Sequence, residues 1–405
     1  MRVLLSAYAC RPFVGSEPGV GFATLLAVAE HHEVWVITRK KNVEPIERFL
    51  DGHLLNHRIH VVGVDLSPSA MTVKKRLGQA GLHWYYDRWQ LKAALLAAEI
   101  LKTTSFDVVH HVTFASDWAR AGVAELGPPF VWGPVGGRIG PPLKLMTTLG
   151  IRGIGNEVLR ALGRALMRRR RWYRRAWLAA RVVLAQNAAI DRESSYPHKT
   201  RRLPNSTAML GEVSDSVTSR GSEILIVGRI VPWKGGVLAI RAMRLVESPN
   251  ALLRFVGEGP DKPRLQRLVR RLGLSGRVSF EGSLPRSETL VRIAQAAALL
   301  HPSMHDESPL VVGEALTMGT PVICLDWGGP PELLRRWPGT RSTAVPVSTV
   351  ASTVEGLAQA IDYYLRDPTP VLSVARHPTP SYAAEILAAY ESAVGDLVGG
   401  QDQGR

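Results

Sequence analysis

The segment HDESPLVVGEA, residues 305–315, puts anion-binding groups next to a carboxylate in apolar company. Ser308 suits a helix N-cap and Pro309 the first helical position, so the pattern predicts a helix over Pro309–Met318 closed by Gly319. The unpaired N–H groups and dipole at its start could hold a phosphate. Glu314 shares a helical face with Leu310, Val311 and Met318, which places a charge on an apolar stripe. Such a carboxylate needs a partner. The paired hydroxyls of a ribose would serve, and so would a core arginine. Upstream, GRIVPWKGG (228–236) sets Arg229 and Lys234 beside glycines that allow close backbone approach, a combination suited to a diphosphate. Taken alone, the same loop reads equally as a solvated connection.

These groups need a scaffold. Short apolar strands are expected at Val3–Ser6, Val34–Ile37, Ile59–Val64, Val108–Val112, Phe130–Trp132 and Val182–Ala185. A second series follows at Ile224–Val227, Leu252–Val256, Val278–Phe280, Leu299–His301 and Val322–Leu325. Helix-length segments between strands imply right-handed crossovers and parallel sheets. The expected fold class is α/β, with two tandem Rossmann-like, doubly wound domains facing each other across a cleft, where strand carboxyl ends would present the ligand site. The polar stretch after RLPNS marks a linker. The expected division is an N-terminal Rossmann-like domain over 1–205, a linker over 206–221, a C-terminal Rossmann-like domain over 222–375, and a helix within 376–405 that returns to the N-terminal domain before a tail. A chain of 405 residues with 45% hydrophobic and 21% charged content supports two such cores. Two cysteines far apart in sequence, Cys10 and Cys324, suit a reducing compartment and exclude a cysteine-based zinc site.

The segment 305–315 resembles the Glu-x7-Glu donor motif of retaining glycosyltransferases of family 4, which have the B-type architecture of two Rossmann-like domains. Asp306 stands in the first acidic position and Glu314 in the second. GRIVPWKGG resembles that family's Gly-Arg…Lys-Gly loop, and FVGEGP (255–260) and VSFEG (278–282) follow in the family's order. The resemblance is strong over 222–335. It implies that Gly228, Arg229, Lys234 and the helix start at Ser308, Leu310 and Val311 bind the donor diphosphate. It also implies that Glu314 takes the ribose, the backbone near Leu284 the base, and Asp306 the hydroxyls of the transferred sugar. Asp306 is one methylene shorter than glutamate, so the identity of the sugar does not carry over. Glu307, one residue out of register, is assigned to solvent or acceptor.

In the first half, SAYACRPFVGSEPGVGF (6–22) lacks a Gly-x-Gly-x-x-Gly directly after the strand, which weakens a dehydrogenase reading. Gly15 and Ser16 resemble the family's loop beside the donor phosphates, and Glu17 its acceptor side; a plain helix-capping turn is the other reading. Of His110 and His111 only one can face a given cleft. His111 is the candidate catalytic histidine, with Asp306, Arg229 and Lys234, while a pair of hydrogen-bonded structural histidines is the alternative. Gly136 and Gly137 in WGPVGGR (132–138) are candidate acceptor-loop residues.

The net charge of +15 points to anionic partners. A helix is expected over 156–180, where LGRALMRRRRWYRRAWL (162–178) carries seven arginines with Trp172, Tyr173 and Trp177. A similar mix recurs at 73–89. Such helices fit an anionic membrane surface, or else carry solvated arginines over core tryptophans. No base-reading motif accompanies the charge, so nucleic acid is not an expected partner. The chain start lacks a signal-peptide pattern, and no stretch reaches membrane-spanning length. The expected location is therefore cytoplasmic, peripheral on the inner face of the plasma membrane.

The resulting expectation is a retaining glycosyltransferase in cell-surface polysaccharide or glycolipid synthesis. It would use a UDP- or GDP-linked sugar, a glycan or lipid-linked acceptor, and neither metal nor cofactor. A sugar-nucleotide epimerase of the same shape and a non-catalytic membrane- or RNA-binding scaffold are the alternatives.

Overall fold

The computed structural model describes residues 1–193, 196–205, 221–367 and 381–398. The chain alternates strands and helices throughout. In order come β1 (Arg2–Ser6), α1 (Glu17–Ala29), β2 (Glu33–Thr38), α2 (Lys40–Leu50), β3 (Ile59–Gly63), α3 (Pro68–Arg76), α4 (Gly78–Leu101), β4 (Val108–His111) and β5 (Phe130–Val135). Next are α5 (Gly150–Arg168), α6 (Arg171–Ala179), β6 (Ala180–Ala185), α7 (Ala188–Glu193) and β7 (Thr200–Arg202). The second series is β8 (Glu223–Val227), α8 (Gly236–Leu245), β9 (Leu252–Val256), α9 (Lys262–Arg271), β10 (Val278–Gly282), α10 (Arg286–Gln295) and β11 (Ala298–His301). It continues through α11 (Leu310–Thr317), β12 (Val322–Leu325), α12 (Pro330–Arg336), β13 (Thr343–Val345), α13 (Val350–Arg366) and α14 (Tyr382–Val398).

Among the described residues two parallel sheets form, of seven strands in the order β3-β2-β1-β4-β5-β6-β7 and six in the order β10-β9-β8-β11-β12-β13. Their strands read as near-continuous apolar runs because helices cover both faces. In each sheet the order reverses once, between β1 and β4 and between β8 and β11. These switch points are where connecting loops diverge and leave room for a ligand at the carboxyl ends. The chain is thus α/β with two doubly wound, Rossmann-like units.

The first compact unit takes Met1–Arg138, the described residues from Gly163 to Asn205, and α14. Its helix α14 packs on the sheet, where Tyr390 is fully buried and the Tyr382 hydroxyl lies 2.9 Å from that of Thr24. The second unit takes Ile139–Leu162 with the described residues of 221–367. Residues 139–162, which the sequence reading assigned to the first domain, group with the second for identifiable reasons. The Ile139 N–H donates to Glu307 at 2.8 Å, and the Trp327 indole donates to the Gly140 carbonyl at 2.8 Å. The Arg264 guanidinium spans the carbonyls of Thr148 and Leu149 at 2.6 and 2.9 Å, while Leu145 and Leu149 complete the apolar core under α8 and β8. The expected linker at 206–220 and the tail beyond 398 lie outside the described residues.

The continuous helix expected over 156–180 is two helices, α5 and α6, with extended backbone at Arg170 between them. The break lets Trp177 turn inward, where it is buried edge-to-face against Trp132 at 5.3 Å. Trp172 lies under the Arg120 guanidinium at 4.2 Å, and the Tyr173 hydroxyl accepts from Arg138 at 2.9 Å. These aromatics therefore belong to the packed interior and its border. The arginines are also partly structural. Arg138 and Arg168 reach the fully buried carboxylate of Asp117 at 2.8 and 2.9 Å.

Candidate functional site

The β8–α8 and β11–α11 loops leave the second sheet side by side at its switch point. The first carries Gly228, whose φ of 135° only glycine adopts readily, then exposed Arg229 and a short 3-10 turn over Pro232–Lys234. Gly235 ends that turn in the left-handed region, φ 75°, and a Cβ on it would sit 2.0 Å from the Pro302 carbonyl oxygen. The two loops can approach this closely because residue 235 has no side chain. Gly235→Ala is therefore expected to destabilise the protein by at least about 1–2 kcal/mol, from left-handed backbone strain alone. It should also separate Lys234 from its partner, and a fall in melting temperature would register the combined loss.

That partner is Asp306. The Lys234 Nζ and the His301 Nε2 meet the same oxygen, Oδ2, at 2.7 and 2.8 Å. Burial by itself would raise the Asp306 carboxyl, but the Lys234 charge and the His301 hydrogen bond outweigh it and hold the group well below the usual carboxylate range. Burial pushes His301 down, with Asp306 opposing. A neutral imidazole can donate to an ionised carboxylate through Nε2 only if its proton is on that nitrogen. Asp306 is thus a fixed anion, buttressed from two elements. Its carbonyl also accepts from the Gly329 N–H at 3.0 Å.

Helix α11 begins one residue later than expected. Pro309 occupies the cap position with no side-chain cap, its carbonyl accepting from Val312, and the helix ends at Thr317 with Met318 as its C-cap. Ser308 is therefore not the cap residue. Leu310 and Val311 are half-buried at the helix start, and Leu284 packs against the apolar cluster around Val312 and Leu316. Glu314 is buried and forms an ion pair with Arg286 at 2.5 Å, at the start of α10. Of the two partners its position allowed, the structure supplies an arginine. That arginine was missed because it lies twenty-eight residues away on another helix. Glu307 accepts from the Ile139 N–H. Its carboxylate thus holds the 139–162 segment, which differs from the solvent or acceptor assignment.

In the first unit, His110 and His111 end β4. The His110 ring lies 2.8 Å from the Gly133 carbonyl and 2.7 Å from the Tyr390 hydroxyl. His111 meets the Tyr86 hydroxyl at 3.0 Å and Ser6 Oγ at 3.4 Å. Both rings are buried, with all four nitrogens bonded, which is the arrangement of the structural alternative. Burial lowers His110 to about 4 and His111 to about 3, so both are neutral at physiological pH. A histidine depressed in the folded state stabilises the protein above its unfolded pKa of about 6.5, and that stabilisation is lost as pH falls. Stability should therefore decline from near pH 6.5 toward pH 4 by about 1.4 kcal/mol per pH unit for each histidine. Glu17, raised by burial despite accepting from the Phe114 N–H at 2.8 Å, works in the opposite sense. Denaturant melts of wild type and His110→Asn across this range would show the difference in slope.

Ser16 takes a left-handed φ of 63° before α1, following Gly15. Gly136 pairs with Ser116 as an isolated bridge, and the Gly137 carbonyl accepts from Arg168 at 3.0 Å. A cavity of about 670 Å³ lies elsewhere, at the amino ends of β5 and β6, and includes none of these residues.

Comparison with solved structures defines the fold. The Anabaena protein HepE in complex with UDP-glucose superposes with a TM-score of 0.55 over 98% of this chain and 100% of its own, at 17% identity. The fold is that of the B-type glycosyltransferases.

Residues 216–377 match the family described as glycosyl transferases group 1. The chain is 30% identical over 200 residues to 2-deoxystreptamine glucosyltransferase of Streptomyces kanamyceticus, covering 49% of each. It is 32% identical over 237 residues to exopolysaccharide phosphotransferase SCO2592 of Streptomyces coelicolor, covering 56% of this chain and 24% of that protein. The chain thus spans half or less of the length of these curated relatives.

Proposed function

We propose that this protein is a retaining glycosyltransferase that moves a sugar from a uridine- or guanosine-diphosphate donor to a hydroxyl of a glycan or lipid-linked acceptor. The observation that carries this reading is the Lys234–Asp306–His301 cluster at the β8/β11 switch point, inside the segment that matches the glycosyltransferase family. A lysine ammonium has three donors, and the one on Asp306 leaves two for phosphate oxygens. Arg229 and the start of α11 add positive potential at the same strand ends.

In the reaction, the acceptor oxygen bonds to the anomeric carbon as the bond from that carbon to the diphosphate breaks. The acceptor proton passes to a leaving phosphate oxygen. Arg229 and Lys234 stabilise the charge that develops on the diphosphate, which is where preorganised cations lower a barrier most. Asp306, held ionised, accepts hydrogen bonds from hydroxyls of the transferred sugar. Glu314, anchored by Arg286, offers its carboxylate to the ribose. His111 is assigned to the catalytic region, and Gly15, Ser16, Glu17, Gly136 and Gly137 to the loops around donor and acceptor. The protein would work in polysaccharide or glycolipid synthesis, associated peripherally with a membrane.

Calorimetric titration with UDP and GDP, followed by a screen of their sugar conjugates for enzyme-dependent donor hydrolysis, tests the proposal. Binding of one nucleotide and release of free sugar from its conjugate are expected. A product that is an epimeric sugar nucleotide, formed without acceptor, would overturn it in favour of an epimerase.

A further inference from the structure

Helix α5 is amphipathic in the reverse sense. Its inward side carries Glu157, which pairs with Arg160 and lies 3.3 Å from His305, and Arg168, which reaches Asp117 and the Gly137 carbonyl. The Arg160 guanidinium also covers the Trp233 ring at 4.4 Å. The outward side is apolar: Ile151 is 91% exposed, Leu159 68%, Leu162 62%, Leu166 56% and Val158 48%. At 100° per residue these five fall within a single stripe about a quarter-turn wide. A soluble helix normally buries such a stripe, and a contiguous exposed one marks an interaction surface. The stripe has a charged end. Exposed Arg169, Arg170, Arg171 and Arg174 follow it directly, and exposed Arg152 flanks its start.

We propose that the outer face of α5 is a docking surface for an anionic lipid layer. The Ile151–Leu166 stripe enters the acyl boundary, and the arginines at 169–174 lie on lipid phosphates. Charge complementarity selects this occupant, because apolar insertion and a polybasic cluster together are the two signals that hold a peripheral protein at a membrane. No helix among the described residues is long and apolar enough to cross a membrane, so the contact is interfacial. The inference rests on the peripheral membrane association proposed above and specifies the face that makes it. It does not depend on sugar transfer.

Flotation with phosphatidylcholine vesicles containing an equal part of phosphatidylglycerol tests it. Wild type should float at low salt, and Leu159→Glu/Leu162→Glu should lower the bound fraction by about tenfold or more at an unchanged melting temperature. Reversing Arg169 and Arg170 to glutamate should weaken binding to these vesicles but not the weaker binding to pure phosphatidylcholine. If wild type floats and the leucine variant floats equally, the assignment of α5 is overturned while membrane association stands. If wild type does not float, both fail. The assignment of α5 alone also fails if the leucine substitutions instead turn a dimer into a monomer in sedimentation, since a second copy would then cover the stripe.

Discussion

Replacing Lys234 by alanine is expected to weaken nucleoside diphosphate binding by roughly 10- to 100-fold, the equivalent of one charge-assisted hydrogen bond at about 1.5–3 kcal/mol. The reason goes beyond the lost cation. Lys234 is one of two groups that keep Asp306 ionised, and without it burial has only His301 to oppose it. The Asp306 carboxyl should therefore titrate closer to the ordinary range. Residual binding in the variant should fall further as pH is lowered, whereas wild-type binding should be flat there. Lys234→Arg keeps the charge but not the compact geometry, and it should restore the pH behaviour more fully than the affinity. Unchanged calorimetric affinity in Lys234→Ala would remove the donor site from this loop.

The second large effect concerns stability. Asp117 is fully buried between Arg138, itself 7% exposed, and Arg168. Truncating it to alanine removes the carboxylate that both guanidinium groups meet, and breaking a buried pair in this way costs about 3–5 kcal/mol. Solvent around the partly exposed Arg168 favours the lower end of that range. Asp117→Asn, which keeps an acceptor and loses the charge, should cost less. Chemical denaturation would measure both, and a loss for Asp117→Ala below about 1 kcal/mol would show that water reaches the pair. Because the Gly137 carbonyl shares Arg168, the same substitution should loosen the 136–137 loop and, with that loop on the acceptor side as proposed, raise the KM for acceptor more than that for donor.

Much of this was legible in the residues. Strands β1, β11 and β12 announced themselves as apolar runs between turn signals, since burial on both faces leaves a pattern that needs no partner to be read. The two missed strands, β7 and β13, are three-residue edge strands whose residues are polar or half-buried except for Val345, and only pairing to a neighbour makes them strands. The Arg229, Lys234 and Asp306 positions were visible because they follow strand ends at short spacing. Their geometry was not. His301 was already the expected last residue of its strand, but its pairing with Asp306 went unread, although a histidine five residues before an aspartate across a loop was a usable signal. The Glu314–Arg286 pair and the break between α5 and α6 depend on tertiary packing, which a one-dimensional pattern does not encode. The arginine-rich segment was read as one helix, either membrane-facing with aromatic anchors or with solvated arginines over core tryptophans. Packing instead took the aromatics and some arginines inward and left leucines outside.

Neither compact unit is a single run of chain. The first sheet needs α14 from the far end of the sequence, because the Tyr390 hydroxyl answers a nitrogen of buried His110. The second core needs Leu145 and Leu149 from well upstream. A fragment cut after residue 205 would carry away two core leucines and abandon a histidine partner, and its complement would begin with a gap beneath α8. The halves are therefore not interchangeable cassettes. A chimera that exchanged only 216–377 with a relative would have to re-fit the 139–162 segment against a foreign α8 and β8. Donor specificity in this fold should transplant cleanly only when that segment travels with it.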